Sequence, residues 1–138
     1  MLEEPPAVLT PINPTALGAP KGYSNGMLAP AGGRLLFVAG QIGWDAQGQF
    51  VSQDFAEQFG KALANALEVV REAGGGPENV ARMTIYLVDK RQYQAAEKAV
   101  GAQYRALMGK HYPAMALLEV KSLLESQALV EIEVTAVL

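Results

Sequence analysis

Near the C-terminus, Glu131 and Glu133 alternate with Val130, Ile132 and Val134. On an extended segment such alternation sends both carboxylates to one side and the aliphatic side chains to the other. A carboxylate that holds a water molecule against an electrophilic carbon can act as a general base. Alternation alone more plainly describes two solvated carboxylates on the outer face of a strand. His111 is the single histidine; with no serine, cysteine or acidic cluster near it in sequence it completes neither a nucleophilic triad nor a metal site, and capping or surface duty is the plainer reading. There are no cysteines, which removes disulfides, thiolate nucleophiles and cysteine-based zinc sites. Gly74-Gly75-Gly76-Pro77 could suggest a phosphate cradle. It follows a helical pattern and lacks the lysine of such loops, so a helix C-cap is expected. Tyr23 reads as either a cleft residue or a packing tyrosine. Trp44, the sole tryptophan, sits beside a turn, where spacing selects neither a cleft nor an interface.

The elements that would position these groups follow from periodicity. Pro5, Pro6, Pro11, Pro14 and Pro20 crowd residues 1–20; proline resists helix and central strand alike, so an ordered arm or loop is expected there. Residues 23–29 read as a first strand, Gly32-Gly33 as a turn, and 34–39 (RLLFVA) as a second strand rich in branched and aromatic residues. Ser52 is the expected N-cap of a long helix whose apolar stripe runs through Phe55, Phe59, Leu63, Leu67 and Val70 and which stops at the glycine run. Residues 80–88 form the next strand, with Ala81, Met83, Ile85 and Leu87 on one face and Arg82, Thr84 and Tyr86 on the other. A second helix is expected over 92–108, with Tyr93, Ala96, Val100, Tyr104 and Leu107 as its stripe and Gly109 as its stop. Strands over 114–121 and 129–137 close the chain. The order β-β-α-β-α-β-β is that of an α+β layer with helices on one face of a mixed sheet, in a single domain spanning 1–138.

Such a layer leaves the second face of the sheet uncovered. That face mixes apolar side chains with Arg82, Tyr86, Glu131 and Glu133: too mixed for a core and too apolar in places for open water. A closed ring of identical copies would resolve the conflict. The formal net charge is −3, with 11 Lys plus Arg against 14 Asp plus Glu, and no basic run offers a nucleic-acid footprint. The N-terminal segment has neither the basic start nor the apolar run of a signal peptide, and no stretch reaches the length of a membrane span. A cytoplasmic setting is therefore expected.

Taken in order, Gly22-Tyr23-Ser24, Leu35 to Gln41 (LLFVAGQ), Asp45 and Gly48, Ala73-Gly74, 80–89 (VARMTIYLVD), Tyr112-Pro113-Ala114 and the closing 128–134 (ALVEIEV) resemble the reactive-intermediate deaminase family, also known as the Rid, YjgF or L-PSP family. The resemblance runs from Tyr23 to the C-terminus. It implies a chorismate-mutase-like subunit assembled as a homotrimer, with a small-molecule cleft at each subunit interface and no cofactor beyond water. Members of the family hydrolyse imines or enamines to a carbonyl compound and ammonia. Position by position, the resemblance makes Glu131 the water-positioning residue and Tyr23, Ala39, Gly40 and Gln41 substrate-binding residues, with Ala39 standing where many members carry serine. At the position two residues past Pro113, where the family carries a carboxylate-binding arginine, this chain has Met115. A guanidinium offers paired donors in a plane and a thioether offers none, so the substrate-binding position is retained with an altered preference for less anionic substrates. Arg34, Arg105 and Lys121 are the cations from which a replacement anchor would be drawn. The rival expectations are a non-catalytic metabolite-binding or regulatory trimer and, less favoured on this acidic composition, a ribonuclease or translation inhibitor.

Overall fold

The computed structural model describes residues 8–138; Pro5 and Pro6 of the proline-rich arm lie outside them. Four strands make the principal sheet: β3 (Leu35–Gln41), β4 (Val80–Leu87), β5 (Ala114–Glu119) and β6 (Val130–Val137), in the order β3-β6-β4-β5. The β4–β5 pair is parallel and the other two pairs are antiparallel, so the sheet is mixed. A separate two-stranded ribbon joins β1 (Thr10–Ile12) to β2 (Gly26–Leu28). The expected first strand over 23–29 is thus shorter, and it pairs with the arm instead of the main sheet. Thr10–Ile12 can serve as a strand despite Pro11 because it lies at an edge, where a missing amide leaves no central ladder bond unmade.

Helix α1 (Phe55–Glu72) buries Phe59, Ala62, Leu63, Ala66, Leu67 and Val70. Its N-cap is Asp54, whose carboxylate accepts a bond from the Glu57 amide at 3.0 Å. Ser52, the cap expected from sequence, instead accepts a bond from the Asp54 amide through Oγ at 2.9 Å. Both residues can satisfy first-turn donors; the carboxylate closer to the helix takes the task. The expected second helix is two: α2 (Lys90–Ala95) and α3 (Glu97–Met108), separated at Ala96 where φ is −108°. Asp89 caps α2 and is paired with Arg91. The hydrogen bond and charge of Arg91 hold its carboxyl below the ordinary value. The α2–α3 segment is the crossover that two parallel neighbours such as β4 and β5 require.

In β6 the aliphatic residues Val130, Ile132, Val134 and Ala136 face the helices and are buried, while Glu131, Glu133 and Thr135 are half-buried on the other face. Strand β4 departs from its expected alternation at its start. A register shift between Val80 and Arg82 puts Val80, not Ala81, in the core with Met83, Ile85 and Leu87. One extra residue in a bulge reverses the facing of everything before it. The open face leaves Phe37 74 %, Leu35 60 % and Leu118 40 % exposed. No helix among the described residues is long and apolar enough to cross a membrane.

Candidate functional site

Strand β3 carries a bulge where its register to β6 shifts between Val38 and Gln41. Val38 pairs with Val134 and Gln41 with Ile132, so Ala39 and Gly40 together oppose Glu133. The extra residue turns the strand at the point where the Glu131 side chain crosses it. A Cβ added to Gly40 would lie 2.8 Å from Glu131 Cδ. Only a glycine lets the carboxylate lie directly over the backbone here. Ala39, Gly40 and Glu131 are therefore brought together, with Ala39 and Gly40 exposed and Glu131 half-buried.

Glu133 occupies the next position on the same face. Its Oε1 accepts a 2.6 Å hydrogen bond from the Tyr86 hydroxyl. That bond, reinforced by desolvation and by the charges of Glu133 and Glu131, raises the Tyr86 hydroxyl above its ordinary value of 10.0, with Arg82 opposing. Glu133 is thus engaged within the sheet, whereas no side-chain hydrogen bond to Glu131 is found among the described residues. The two glutamates that alternation could not tell apart differ in this way.

The other predicted site residues lie elsewhere in the chain. Past the bulge, Gln41 turns to the helix side, donates from Nε2 to the Ala39 carbonyl at 3.1 Å, and lines an open groove of about 540 Å³ with Trp44, Lys61 and Asn65. Met115 pairs with Met83 in the β4–β5 ladder, so it too faces the helices. It lines a cavity of about 320 Å³ between β5 and α3. Tyr23 stands beside the start of β5, 40 % exposed, because its neighbour Ser24 is pinned there: the Ser24 amide donates to the Pro113 carbonyl at 3.0 Å and its hydroxyl to the Tyr112 carbonyl at 2.6 Å. Tyr23 and Met115 therefore belong to the β5 edge of the sheet, and Gly40 and Glu131 to the β3 side. Strands are spaced by roughly 4.8 Å, so three spacings separate the edges, and Met115 and Glu131 point to opposite faces. One chain does not assemble all the predicted residues around one ligand.

His111 has a structural task that sequence reasoning did not specify. Its Nε2 lies 2.7 Å from the Val80 carbonyl, and its own carbonyl accepts a 2.6 Å bond from the Tyr104 hydroxyl. Since a carbonyl only accepts, Nε2 carries the proton. Burial keeps the Tyr104 hydroxyl protonated far above the usual tyrosine range. Among the described residues no group of three or more histidine or acidic side chains is placed to hold a metal ion.

A four-stranded mixed sheet covered by helices on one face, with a glutamate laid over a glycine bulge on the other, defines a small α+β protein of one recognisable class. The sequence profile of the Endoribonuclease L-PSP family matches residues 14–138. Human 2-iminobutanoate/2-iminopropanoate deaminase is 32 % identical over 123 residues, covering 88 % of this chain and 84 % of the relative. A RutC family protein of Pyrococcus horikoshii is 34 % identical over 119 residues, covering 86 % of this chain and 90 % of that protein. Among solved structures, a Rid family protein from Yersinia pestis, itself described as of unknown function, superimposes with a TM-score of 0.83 at 36 % identity, covering 94 % of this chain and 98 % of that one. The TdcF protein of E. coli, solved with bound serine, gives a TM-score of 0.66 at 25 % identity, covering 87 % and 91 %. The chain belongs to the Rid (YjgF, Endoribonuclease L-PSP) family.

Proposed function

We propose that this protein hydrolyses imines or their enamine tautomers to a carbonyl compound and ammonia, at clefts formed between the subunits of a homotrimer. Glu131 orients a water molecule and accepts its proton as the oxygen adds to the imine carbon. Glu131 returns that proton to the nitrogen to give the carbinolamine, then carries the carbinolamine hydroxyl proton to the amino group as the C–N bond breaks and the C=O bond forms, so that nitrogen leaves as ammonia. The exposed Gly40 backbone lies beside the carboxylate and donates to the substrate; Ala39 bounds the cleft from the same chain, Tyr23 and Met115 from its neighbour, and Gln41 stands at its helix-side margin. No metal or organic cofactor is called on.

The observation that carries this reading is the close approach of Glu131 to Gly40, a contact that holds a half-buried carboxylate at an exposed stretch of backbone. The placement of Tyr23 and Met115 at the opposite edge supports the trimer. In a closed ring, the β5 edge of one copy meets the β3 side of the next, and residues that one chain keeps apart share a seam. The exposed Phe37 and Leu35 on the uncovered face favour the same assembly. The relatives named as 2-iminobutanoate/2-iminopropanoate deaminases support the reaction class. The lack of cysteine suits a reducing, cytoplasmic setting.

The test is hydrolysis of imines generated in place from amino acids, followed as keto-acid or ammonia release. Weak turnover of these carboxylate-bearing imines, faster turnover of uncharged imines supplied alongside, and loss of both in Glu131→Gln is the expected result; no acceleration of either kind by the wild-type protein retires the reaction. Because Met115 offers no donor for a carboxylate, small anionic imines are expected to be poor substrates.

That same substitution favours a second reading, a metabolite-binding trimer without turnover. It predicts saturable binding with no product, and Met115→Arg is then expected to tighten binding of carboxylates. Unchanged affinity would place Met115 outside the ligand's reach. The ribonuclease activity in the family's description is disfavoured by the acidic balance and the absence of a basic run.

A further inference from the structure

Two carboxylates share the uncovered face of β6, and one of them lies over the bulge in β3. By register the bulge belongs to Glu133: Val38 pairs with Val134 and Gln41 with Ile132, which sets Ala39 and Gly40 together against Glu133. Yet the carboxylate over Gly40 is that of Glu131, two residues back along the strand. The glutamate nearest in register is turned away, and the cause is visible on the far side of β6.

On β4, Tyr86 pairs with Glu131 and Thr84 with Glu133. The Tyr86 side chain passes over its own partner. It reaches diagonally, and its hydroxyl donates to Glu133 Oε1 at 2.6 Å. Diagonal neighbours on one face of an antiparallel pair are within reach of an aromatic side chain, and a hydroxyl bonded to a carboxylate at this length makes one of the stronger hydrogen bonds. Among the described residues Glu133 accepts no other side-chain hydrogen bond and forms no ion pair, although Arg82 stands on the same face. The Tyr86 hydroxyl therefore draws Glu133 toward β4, while Glu131 crosses the other way, to β3. The same bond is the foremost cause of the rise in the Tyr86 hydroxyl, which stays a donor throughout the neutral range.

We infer that Tyr86 is a positioning residue for Glu131: by fastening Glu133 to β4 it leaves the bulge to Glu131 and keeps a second carboxylate out of the cleft. This role rests on the hydrolase reading for its effect on turnover, though not for its geometry. Two carboxylates held at one place repel each other, so the bulge takes one. Released from Tyr86, Glu133 is the carboxylate that register sets against the exposed backbone of Ala39 and Gly40, and it displaces Glu131 from there. A water held by the wrong carboxylate is misplaced for attack, and a misplacement of about 1 Å can cost on the order of a hundredfold in rate. Two glutamates that look equivalent along β6 are made unequal by one hydroxyl on the neighbouring strand.

The test compares the full-length wild-type protein with Tyr86→Phe, Glu133→Ala and the double variant, in crystal structures and in turnover. The probe is benzaldimine, an imine without a carboxylate, formed in place from benzylamine by a flavin amine oxidase and followed as benzaldehyde. Tyr86→Phe keeps the ring and removes the hydroxyl. Its structure is expected to show the Glu133 carboxylate over Gly40 with Glu131 displaced, and its rate to fall at least fivefold. Glu133→Ala is expected to turn over within twofold of the wild type, and adding it to Tyr86→Phe is expected to restore turnover to the same range. A hydroxyl that served stability alone would leave the double variant no faster than Tyr86→Phe; thermal melting establishes that each variant is folded at the assay temperature. Glu133 still turned to β4 in the Tyr86→Phe structure, an undiminished rate in that variant, or a loss that Glu133→Ala does not relieve would each overturn the assignment. A wild-type protein that hydrolyses no imine retires the hydrolase reading instead, and the Tyr86→Phe structure then still decides whether Tyr86 governs which carboxylate holds the bulge.

Discussion

The carboxylate of Glu131 lies over the α-carbon of Gly40, at the point where β3 takes an extra residue against β6. Gly40 does not have a positive φ, so alanine is compatible with its backbone, and the obstacle is the Glu131 side chain alone. Because that obstacle is the far end of a flexible chain, it can swing aside. Gly40→Ala is therefore expected to cost about 1 kcal/mol or less, at the low end of the usual penalty for overpacking. Its effect on imine hydrolysis is expected to be as large as that of Glu131→Gln, since both remove the carboxylate from the bulge. Thermal melting and initial rates measured on the same preparations check the split; a large fall in melting temperature with normal turnover would show that the contact serves stability instead.

Gln58 is 1 % exposed and fully engaged. Its Nε2 donates to the Ser52 carbonyl at 2.9 Å and the Gln127 carbonyl at 3.0 Å, and its Oε1 accepts from the Leu129 amide at 2.9 Å. One side chain thus fastens the start of α1 to the loop that feeds β6. Close by, a Cβ on the buried Gly43 would lie 2.8 Å from the Gln58 α-carbon, so β3's exit packs directly on the same turn of helix. Gln58→Leu keeps the volume and deletes three partners. Leaving buried backbone groups unsatisfied costs roughly 1–3 kcal/mol each where water cannot replace the bond, and a net loss of about 2–4 kcal/mol is expected, read from urea denaturation midpoints at constant m.

The periodicity of α1 and the alternation of β6 were legible because each is decided locally: five apolar residues at helical spacing, four aliphatic residues at every second place. The bulges were not. Nothing in the residue types of 80–82 says that Val80 and not Ala81 enters the core, because both are small and apolar and the choice is made by the register to β6. The break at Ala96 was likewise hidden, since alanine favours helix and neither glycine nor proline marks the position. For the site, the adjacency of Gly40 and Glu131 could be anticipated from resemblance alone. The separation of Met115 from Glu131 could not, because strand order is a long-range property. Residues from both edges of a sheet read as neighbours only when a motif is taken for a place.

Tyr86 provides a pH-dependent check on the uncovered face. Its hydrogen bond to Glu133, together with burial and the nearby carboxylates, raises the hydroxyl above 10.0. A group whose value is raised on folding stabilises the fold fully below its unfolded value, and the contribution is lost as pH rises through the folded one. Wild-type protein is therefore expected to exceed Tyr86→Phe in stability near neutral pH, with the gap closing only above pH 10.0. Denaturation midpoints of the two proteins across alkaline pH, with phenolate absorbance followed in parallel, measure it. A gap that stays constant through the phenolate transition would mean that the bond to Glu133 contributes nothing.

Phe37 tests whether the uncovered face is where copies meet. It is 74 % exposed, it pairs with Thr135 in the middle of that face, and it lines a shallow pocket with Arg82 and Glu133. Burying a phenylalanine from water is worth about 1.5–3 kcal/mol, and a closed three-fold ring repeats the contribution in every subunit. Phe37→Glu removes it and sets a new carboxylate beside Glu133, so like-charge repulsion acts in the same direction. Light scattering is expected to give a three-chain mass for the wild type and a single-chain mass for the variant at micromolar concentration. Because the substituted residue is outside the core cluster, the variant is expected to keep its helical circular dichroism and to lose imine turnover through loss of the shared seam. A wild-type chain that is monomeric and still hydrolyses imines would require Glu131 to work without the β5 edge of a neighbour. Tyr23 and Met115 would then have no part in the reaction.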